Sequence, residues 1–319
     1  MNIILFGYYG YRNVGDEQLL DETIRLIKEW YPLATISVAS GPEPIPFQTF
    51  NRWNLWAWLC QLIRSRVVLF GGGSVFQSSS SFFSLCYYLL IIQFARLCRC
   101  RVLLLAQGWG PFKSHWHERF AKSILSTPMI VRSWRDRFSQ TSFGSKEDPV
   151  FCDLVLLQKR PQPFQLNDGE APLVGISVRE KCDYKVLEAL CLKKEYHTIQ
   201  LVNQVVRRCV ANEVLLEDVW DQPFNASMIV TDRYHTAIWA SKFGIPWVAV
   251  SDDPKLQALA QDTLQPIISL SDRNLVDKLL EFVQSFPEPV RDQRLMDWYD
   301  SFKDQRHRVI GWLDEHLSN

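Results

Sequence analysis

The sequence predicts an α/β protein of two doubly wound domains facing a cleft, and three observations predict it. Short apolar strands alternate with helical periodicities along the whole chain. A length of 319 residues at 47% hydrophobic content exceeds one ordinary core and is enough for two. Midway lies QKRPQPFQLNDGEAP, rich in Pro, Gln and turn formers, which reads as a linker. Residues 1–158 then form the N-terminal domain, 159–171 the linker and 172–319 the C-terminal domain, whose last helix could pack back on the first.

Residues 2–7, NIILFG, form the opening strand, and a helix follows from about Asp16 with Leu19, Leu20, Ile24, Ile27 and Trp30 as its apolar positions. Between them Gly7, Gly10 and Gly15 permit tight turns, while Asn13 and Asp16 can bond the turn or cap the helix. The spacing is not G-x-G-x-x-G, and Asp16 at the helix start would repel a pyrophosphate, so no nucleotide site is expected here. Residues 34–40 read as the second strand, with a turn through Pro42, Pro44 and Pro46 behind it. Residues 66–74 carry the third, ending in Gly71, Gly72 and Gly73. That triplet either offers backbone amides to a ligand or lets a helix pack close. Residues 82–97 are short for a membrane span and read as a buried crossover helix, although Arg96, Arg99 and Arg101 leave room for contact with an anionic membrane surface. A fourth strand ends in Gln107-Gly108-Trp109-Gly110-Pro111. A fifth leads to Arg135 and Asp136, which in isolation read as a surface pair.

The second half opens with PLVGISVRE, a buried strand that delivers Arg179 and Glu180 at its carboxyl end. HTIQLV (197–202) is the next strand, with a helix-like stretch through Val206 after it. The organising unit is SMIVTDRYHTAIWASKFGIPWVAV: strand, charged turn, helix, Gly244 stop and second strand. Ligands of open parallel sheets bind beyond the carboxyl ends of the strands, and helix N-termini favour anions there. Arg233 and His235 at this turn therefore point to an anionic substrate, the plainer alternative being that Asp232 caps the helix and both are solvated. Asp252, Asp253 and Lys255 follow the next strand, residues 266–270 form a last short one, and 292–319 read as helix with His307 and His316 solvated.

A net charge of zero with scattered basic residues gives no footprint for nucleic acid. The eight cysteines show neither CxxC pairs nor Cys/His zinc spacing, so they read as reduced and inert, and no metal site is expected. The N-terminus lacks a basic start, apolar segment and small-residue cleavage site, which predicts a cytoplasmic protein.

In this order the motifs resemble the polysaccharide pyruvyltransferase family. GYYGYRNVGDEQLL, FGGGSVFQ, AQGWGP, WRDRFS, GISVRE and DRYHTAIWASKFGIPWVAVSDDPK are each similar to a family motif, over most of the chain. The resemblance implies two Rossmann-like domains similar to B-type glycosyltransferases, with an acceptor side in the N-terminal domain and a phosphoenolpyruvate side in the C-terminal one. It implies transfer of the enolpyruvyl unit of phosphoenolpyruvate to a sugar of a cell-surface polysaccharide or its lipid-linked precursor, with no cofactor besides that co-substrate. Arg233 and Arg179 match donor-binding arginines and His235 a catalytic histidine; Tyr234 and Lys255 complete the expected donor set. Gly10, Asn13, Asp16, Gly72, Gly73, Gln107 and Arg135 are expected to line the cleft.

Phosphoenolpyruvate carries a carboxylate and a phosphate, which bidentate arginines suit. Ketal formation needs one acid or base of near-neutral pKa, the usual work of histidine, and the sequence leaves open which role His235 takes or whether it only hydrogen-bonds. The alternatives are a B-type glycosyltransferase using a nucleotide sugar and a non-catalytic relative that binds glycan.

Overall fold

The structure, a computed structural model, describes residues 1–160, 173–178, 197–202, 213–215, 226–285 and 290–318. The chain divides into two units, Met1–Gln158 with Phe302–Asn319, and Lys159–Ser301. Most of the segment read as a linker, and the helix-like stretch through Val206, lie outside the described residues.

The first unit runs β1 (Asn2–Tyr9), α1 (Val14–Trp30), β2 (Thr35–Ser40), β3 (Thr49–Asn51), α2 (Leu55–Arg64), β4 (Val67–Gly71), α3 (Phe82–Leu97), β5 (Arg101–Gln107), α4 (His115–Leu125), β6 (Ile130–Trp134), α5 (Arg137–Phe143) and a 3-10 turn, Leu154–Leu157. Its sheet is parallel, in the order β3-β2-β1-β4-β5-β6. Alternate strand residues Ile4, Phe6, Val68, Phe70, Val102 and Leu104 join Trp58, Leu62, Leu85, Ile92 and Leu125 of α2, α3 and α4 in one core. The chain winds first to β2 and then reverses to β4, so right-handed crossovers place α1 on the opposite face. Buried on both faces, these strands read as continuous apolar runs, which is why the sequence shows them plainly.

Three elements here have no counterpart in the sequence reading. β3 is three residues long, α2 (LWAWLCQLIR) carries its polar residues, Gln61 and Arg64, only in its last turn and so marks no repeating period, and α4 begins only at the Ser114 cap, whose hydroxyl accepts from the His117 N–H at 3.3 Å. α1 starts at Val14 rather than Asp16, with Asn13 at the N-cap position.

The second unit runs β7 (Leu173–Ser177), β8 (His197–Val202), β9 (Glu213–Leu215), β10 (Met228–Thr231), α6 (Tyr234–Lys242), β11 (Trp247–Val250), α7 (Pro254–Thr263), β12 (Ile267–Ile268), α8 (Leu275–Gln284) and α9 (Gln293–Asp300). Its sheet is also parallel, in the order β12-β11-β10-β7-β8-β9. The core gathers Val174, Ile176, Met228, Val230, Val248 and Val250 with Leu275, Leu279 and Val283 of α8. Gly244 ends α6 at φ +68°, and a Cβ there would meet Met296 Cγ at 2.8 Å, so the stop is both conformational and steric.

The tail is two helices, not one. After α9 the chain turns at 301–304 and α10 (Gln305–Leu317) lies in the first unit, where Arg306 bonds Glu22 at 2.7 Å and Tyr31 bonds Asp314 at 2.6 Å. His307 is exposed, whereas His316 is half-buried against the Trp312 ring at 4.9 Å, and burial lowers its pKa.

Candidate functional site

In the second sheet β7 leads outward to β8 and β9, whereas β10 leads the other way to β11 and β12. The boundary between β7 and β10 is therefore the topological switch point, and ligands of open parallel sheets bind outside the carboxyl ends of the strands at such a point. Thr231 stands at that end of β10 and Ser177 at that end of β7. Thr231 Oγ1 donates to the Ser177 carbonyl at 2.8 Å and accepts the Arg233 N–H at 2.9 Å; Ser177 Oγ lies 3.1 Å from Thr236 Oγ1. These buried hydroxyls pin the turn on both sides of Arg233.

The Arg233 guanidinium is 31% exposed and its Nε lies 3.5 Å from Asp232 Oδ1. Arg233, not Asp232, is the N-cap residue of α6, and its side chain makes no capping bond. The capping role considered for Asp232 thus gives way to an ion pair, because α6 begins one residue later than a cap at 232 would require. Tyr234 and His235 form the first turn of α6, half-buried, their rings edge-to-face with centroids 5.5 Å apart. Lys255 occupies the first turn of α7, after the adjacent strand β11, and its N–H is capped by Asp253 Oδ1 at 2.9 Å. Arg233, Tyr234, His235 and Lys255 thus stand at the carboxyl ends of neighbouring strands. Arg179 lies outside the described residues.

The first sheet repeats the arrangement, its switch point falling between β1 and β4. Gly10 (φ +73°) turns the chain out of β1, and a Cβ there would meet Ser40 Oγ at 2.1 Å. A Cβ on Gly71 would meet Thr23, and one on Gly72 would meet Leu19, each at 2.7 Å. Of the two readings of the triplet, close packing of α1 is what these two glycines serve; Gly73 (φ +79°) has ordinary clearance, with Asp16 Oδ1 3.5 Å from a Cβ. Asn13 Nδ2 donates to the Asp16 carboxylate at 2.5 Å.

Two residues expected to line a cleft do something else. Gln107 is wholly buried, and its amide donates to the Gly72 carbonyl at 2.6 Å, holding the glycine turn in place. Arg135 is also buried rather than paired on the surface: its guanidinium sits 3.3 Å from Asp153 Oδ2, itself sealed from solvent, and 3.4 Å from Asp136 Oδ2. Asp136 meanwhile caps α5 through the Ser139 N–H at 2.6 Å.

Glu17 is the group that motif reading missed. Its Oε1 accepts the Gly10 N–H at 2.8 Å and the Tyr11 N–H at 3.3 Å, so it holds the loop that precedes its own helix. Burial, against the lowering effect of these two bonds and aided by Asp16, raises its pKa from 4.5 to about 7. A carboxyl that exchanges its proton near neutrality at a switch point is a candidate acid or base. The adjacent acids Asp16-Glu17 at a helix start were the available signal. Because the folded value is raised, Glu17's favourable contribution is complete below about pH 4.5 and is lost as the pH rises through about 7. Glu17→Gln keeps the acceptor without the charge. Thermal melts should show it more stable than wild type by about 1–2 kcal/mol at alkaline pH, discounted for partial solvent access, and equal to wild type near pH 4. Equal melts at both pH values would refute the raised pKa.

Among the described residues no cluster of His, Cys, Asp and Glu could hold a metal ion. A family model described as polysaccharide pyruvyl transferase matches residues 13–254, which include both strands of the second switch point and, at the first, β4 but not β1. Solved structures with a similar fold include MnaA from S. aureus with UDP (TM-score 0.62, 9% identity, 99% of this chain and 97% of that one). They also include a putative UDP-N-acetylglucosamine 2-epimerase from Listeria monocytogenes (0.59, 10%, 99% and 96%). A third is Anabaena Alr3699/HepE with UDP-glucose (0.57, 11%, 100% and 99%). At such identities the likeness shows the fold alone, that of two Rossmann-like units as in B-type glycosyltransferases and epimerases. No curated protein matches the chain by sequence.

Proposed function

Because the chain belongs to the polysaccharide pyruvyl transferase family, whose model covers residues 13–254, we propose that it moves the enolpyruvyl unit of phosphoenolpyruvate onto a sugar of a cell-surface polysaccharide or its lipid-linked precursor. The observation that carries this reading is the pinned Arg233 turn at the β7/β10 switch point, with His235 on the first turn of the helix it opens. An anion there would meet a guanidinium fixed at its backbone and the positive end of a helix, with Lys255 on the first turn of α7 after the neighbouring strand. Arg179, one residue past Val178, would add a second guanidinium.

The chemistry assigned to this turn is ketal formation. The enol methylene takes a proton and becomes a methyl group, one sugar hydroxyl attacks the adjacent carbon, and a second displaces phosphate to close the ring. The two hydroxyl protons balance the one gained by carbon and the one carried off by phosphate. His235 is the residue proposed to move a proton in this sequence. The reaction would run in the cytoplasm, at the inner face of the membrane where a lipid-linked acceptor is presented. It requires no metal or cofactor beyond phosphoenolpyruvate.

The competing reading is a glycosyltransferase using a nucleotide sugar, which the UDP-glucose complex of a structural neighbour favours. Calorimetry separates them. Wild type should bind phosphoenolpyruvate, and Arg233→Ala should weaken binding by at least about tenfold, the loss of one charge-assisted pair. Binding of UDP-sugars in place of phosphoenolpyruvate would sink the proposal.

A further inference from the structure

The outward faces of α2 and α3 depart from the mainly charged faces of α1 and α8. α1 turns Asp21, Arg25, Lys28 and Glu29 to solvent and α8 turns Asp277, Lys278 and Glu281, as ordinary surface helices do. α2 instead exposes Trp56 (76%) and Ile63 (75%), and α3 exposes Phe83 (86%), Leu90 (49%) and Leu97 (77%). Spacings of seven place each set on one stripe of its helix. The two helices pack against each other, with Trp58 edge-on to Phe94 at 5.4 Å.

Both stripes run to the same end of the sheet. Just beyond them Arg64, Arg66, Arg99 and Arg101 line a cavity of about 840 Å³ at the amino ends of β1, β4 and β5. The sequence there is one-sided: from Pro44 to His117 it holds six arginines and one lysine, with no Asp or Glu, in a chain of zero net charge. The basic residues are therefore not evenly scattered.

We propose that the outer face of α2 and α3, with this arginine cluster, is a docking surface for an anionic lipid bilayer. A soluble polyanion would account for the arginines but not for exposed tryptophan and phenylalanine stripes. A symmetric dimer through the same face would oppose two surfaces lacking carboxylates. A bilayer satisfies both features, the stripes entering the acyl boundary while the arginines meet headgroup phosphates. No described helix is long and apolar enough to cross a membrane, so the contact is with its surface. The proposal gives residues to the membrane location named above, and its test uses neither donor nor acceptor, so the two stand or fall separately.

The test is flotation of the whole protein with phosphatidylcholine vesicles, with and without phosphatidylglycerol. Binding should require phosphatidylglycerol, weaken with added NaCl, and fall at least about tenfold in Arg66→Glu/Arg99→Glu and in Trp56→Gln/Leu97→Gln. All four side chains are exposed, so unchanged circular dichroism should accompany the loss. Absent binding, or equal binding to neutral vesicles, would overturn the proposal. So would release by millimolar inorganic phosphate at constant ionic strength, which would make the cavity a site for a free anion. Dimerisation without lipid that Trp56→Gln/Leu97→Gln abolishes would assign the face to a second copy.

Discussion

His235→Ala should lower the turnover of the proposed phosphoenolpyruvate-dependent pyruvyl transfer by about 10²–10⁴-fold, the usual contribution of a positioned proton-transfer group. Donor affinity should stay within a few-fold of wild type. The split follows from where the residues stand. Arg233 is the N-cap residue, its N–H held by Thr231 Oγ1 at 2.9 Å and its guanidinium reaching solvent, so it can meet a bound anion. His235 is the second residue of α6, half-buried beside Tyr234, and its proposed part is to move a proton rather than to hold the anion. Steady-state kinetics on a sugar acceptor, with kcat and the donor KM resolved, reads both terms. The pH profile of kcat should lose one limb in the variant. A fall of only about tenfold, with the profile unchanged, would mean that His235 hydrogen-bonds substrate without moving a proton.

This turn was legible because each of its signals is local. Buried strand, polar turn, amphipathic helix and Gly244 stop fall within 24 consecutive residues of the sequence, and a parallel sheet then fixes which end binds. The strand order that makes it a switch point is not local; it arises from pairings such as β7 with β10, between Val174 and Met228. Gln107 and Arg135 misled for the same reason. Both lie at a strand terminus, Gln107 beside Gly108 and Arg135 just past β6, which is how site residues look, yet their partners are Gly72 and Asp153, brought in by neighbouring segments. Glu17 hid behind its neighbour: Asp16 drew attention as a charge that repels phosphate, whereas burial of the next carboxyl is a property of the folded loop. The α2 stripe is hidden because the buried Trp58 and Leu62 beside it are apolar too, and the helix's polar residues, Gln61 and Arg64, come only in its last turn.

The second large effect concerns a carboxylate that the sequence cannot mark as buried. Glu22 is 1% exposed, in the middle of α1, and is held by Arg25 three residues on and by Arg306 Nη1 at 2.7 Å, a residue 284 positions away. Arg306 also bonds Glu29, two turns along the same face of α1, and that bond lowers the Glu29 pKa. Arg306→Ala would leave Glu22 buried with half its cationic support, and the cost should be about 3 kcal/mol, the lower part of the range for broken buried pairs. Urea unfolding should show it as an earlier transition, with faster proteolysis at 301–304, where α10 is joined to the chain. Adding Glu22→Leu removes the stranded charge, so the double variant should recover to within about 1 kcal/mol of wild type. The pH dependence has a definite sign. The depressed Glu29 carboxyl contributes stability above its ordinary 4.5 that is lost as the pH falls through its lower folded value. The gap between wild type and Arg306→Ala should therefore narrow as the pH falls below 4.5. A gap that stays constant, or a double variant no better than the single, would mean that α10 is held by Val309, Leu313 and Leu317 alone, all of them buried, and that the ion pairs only decorate its edge.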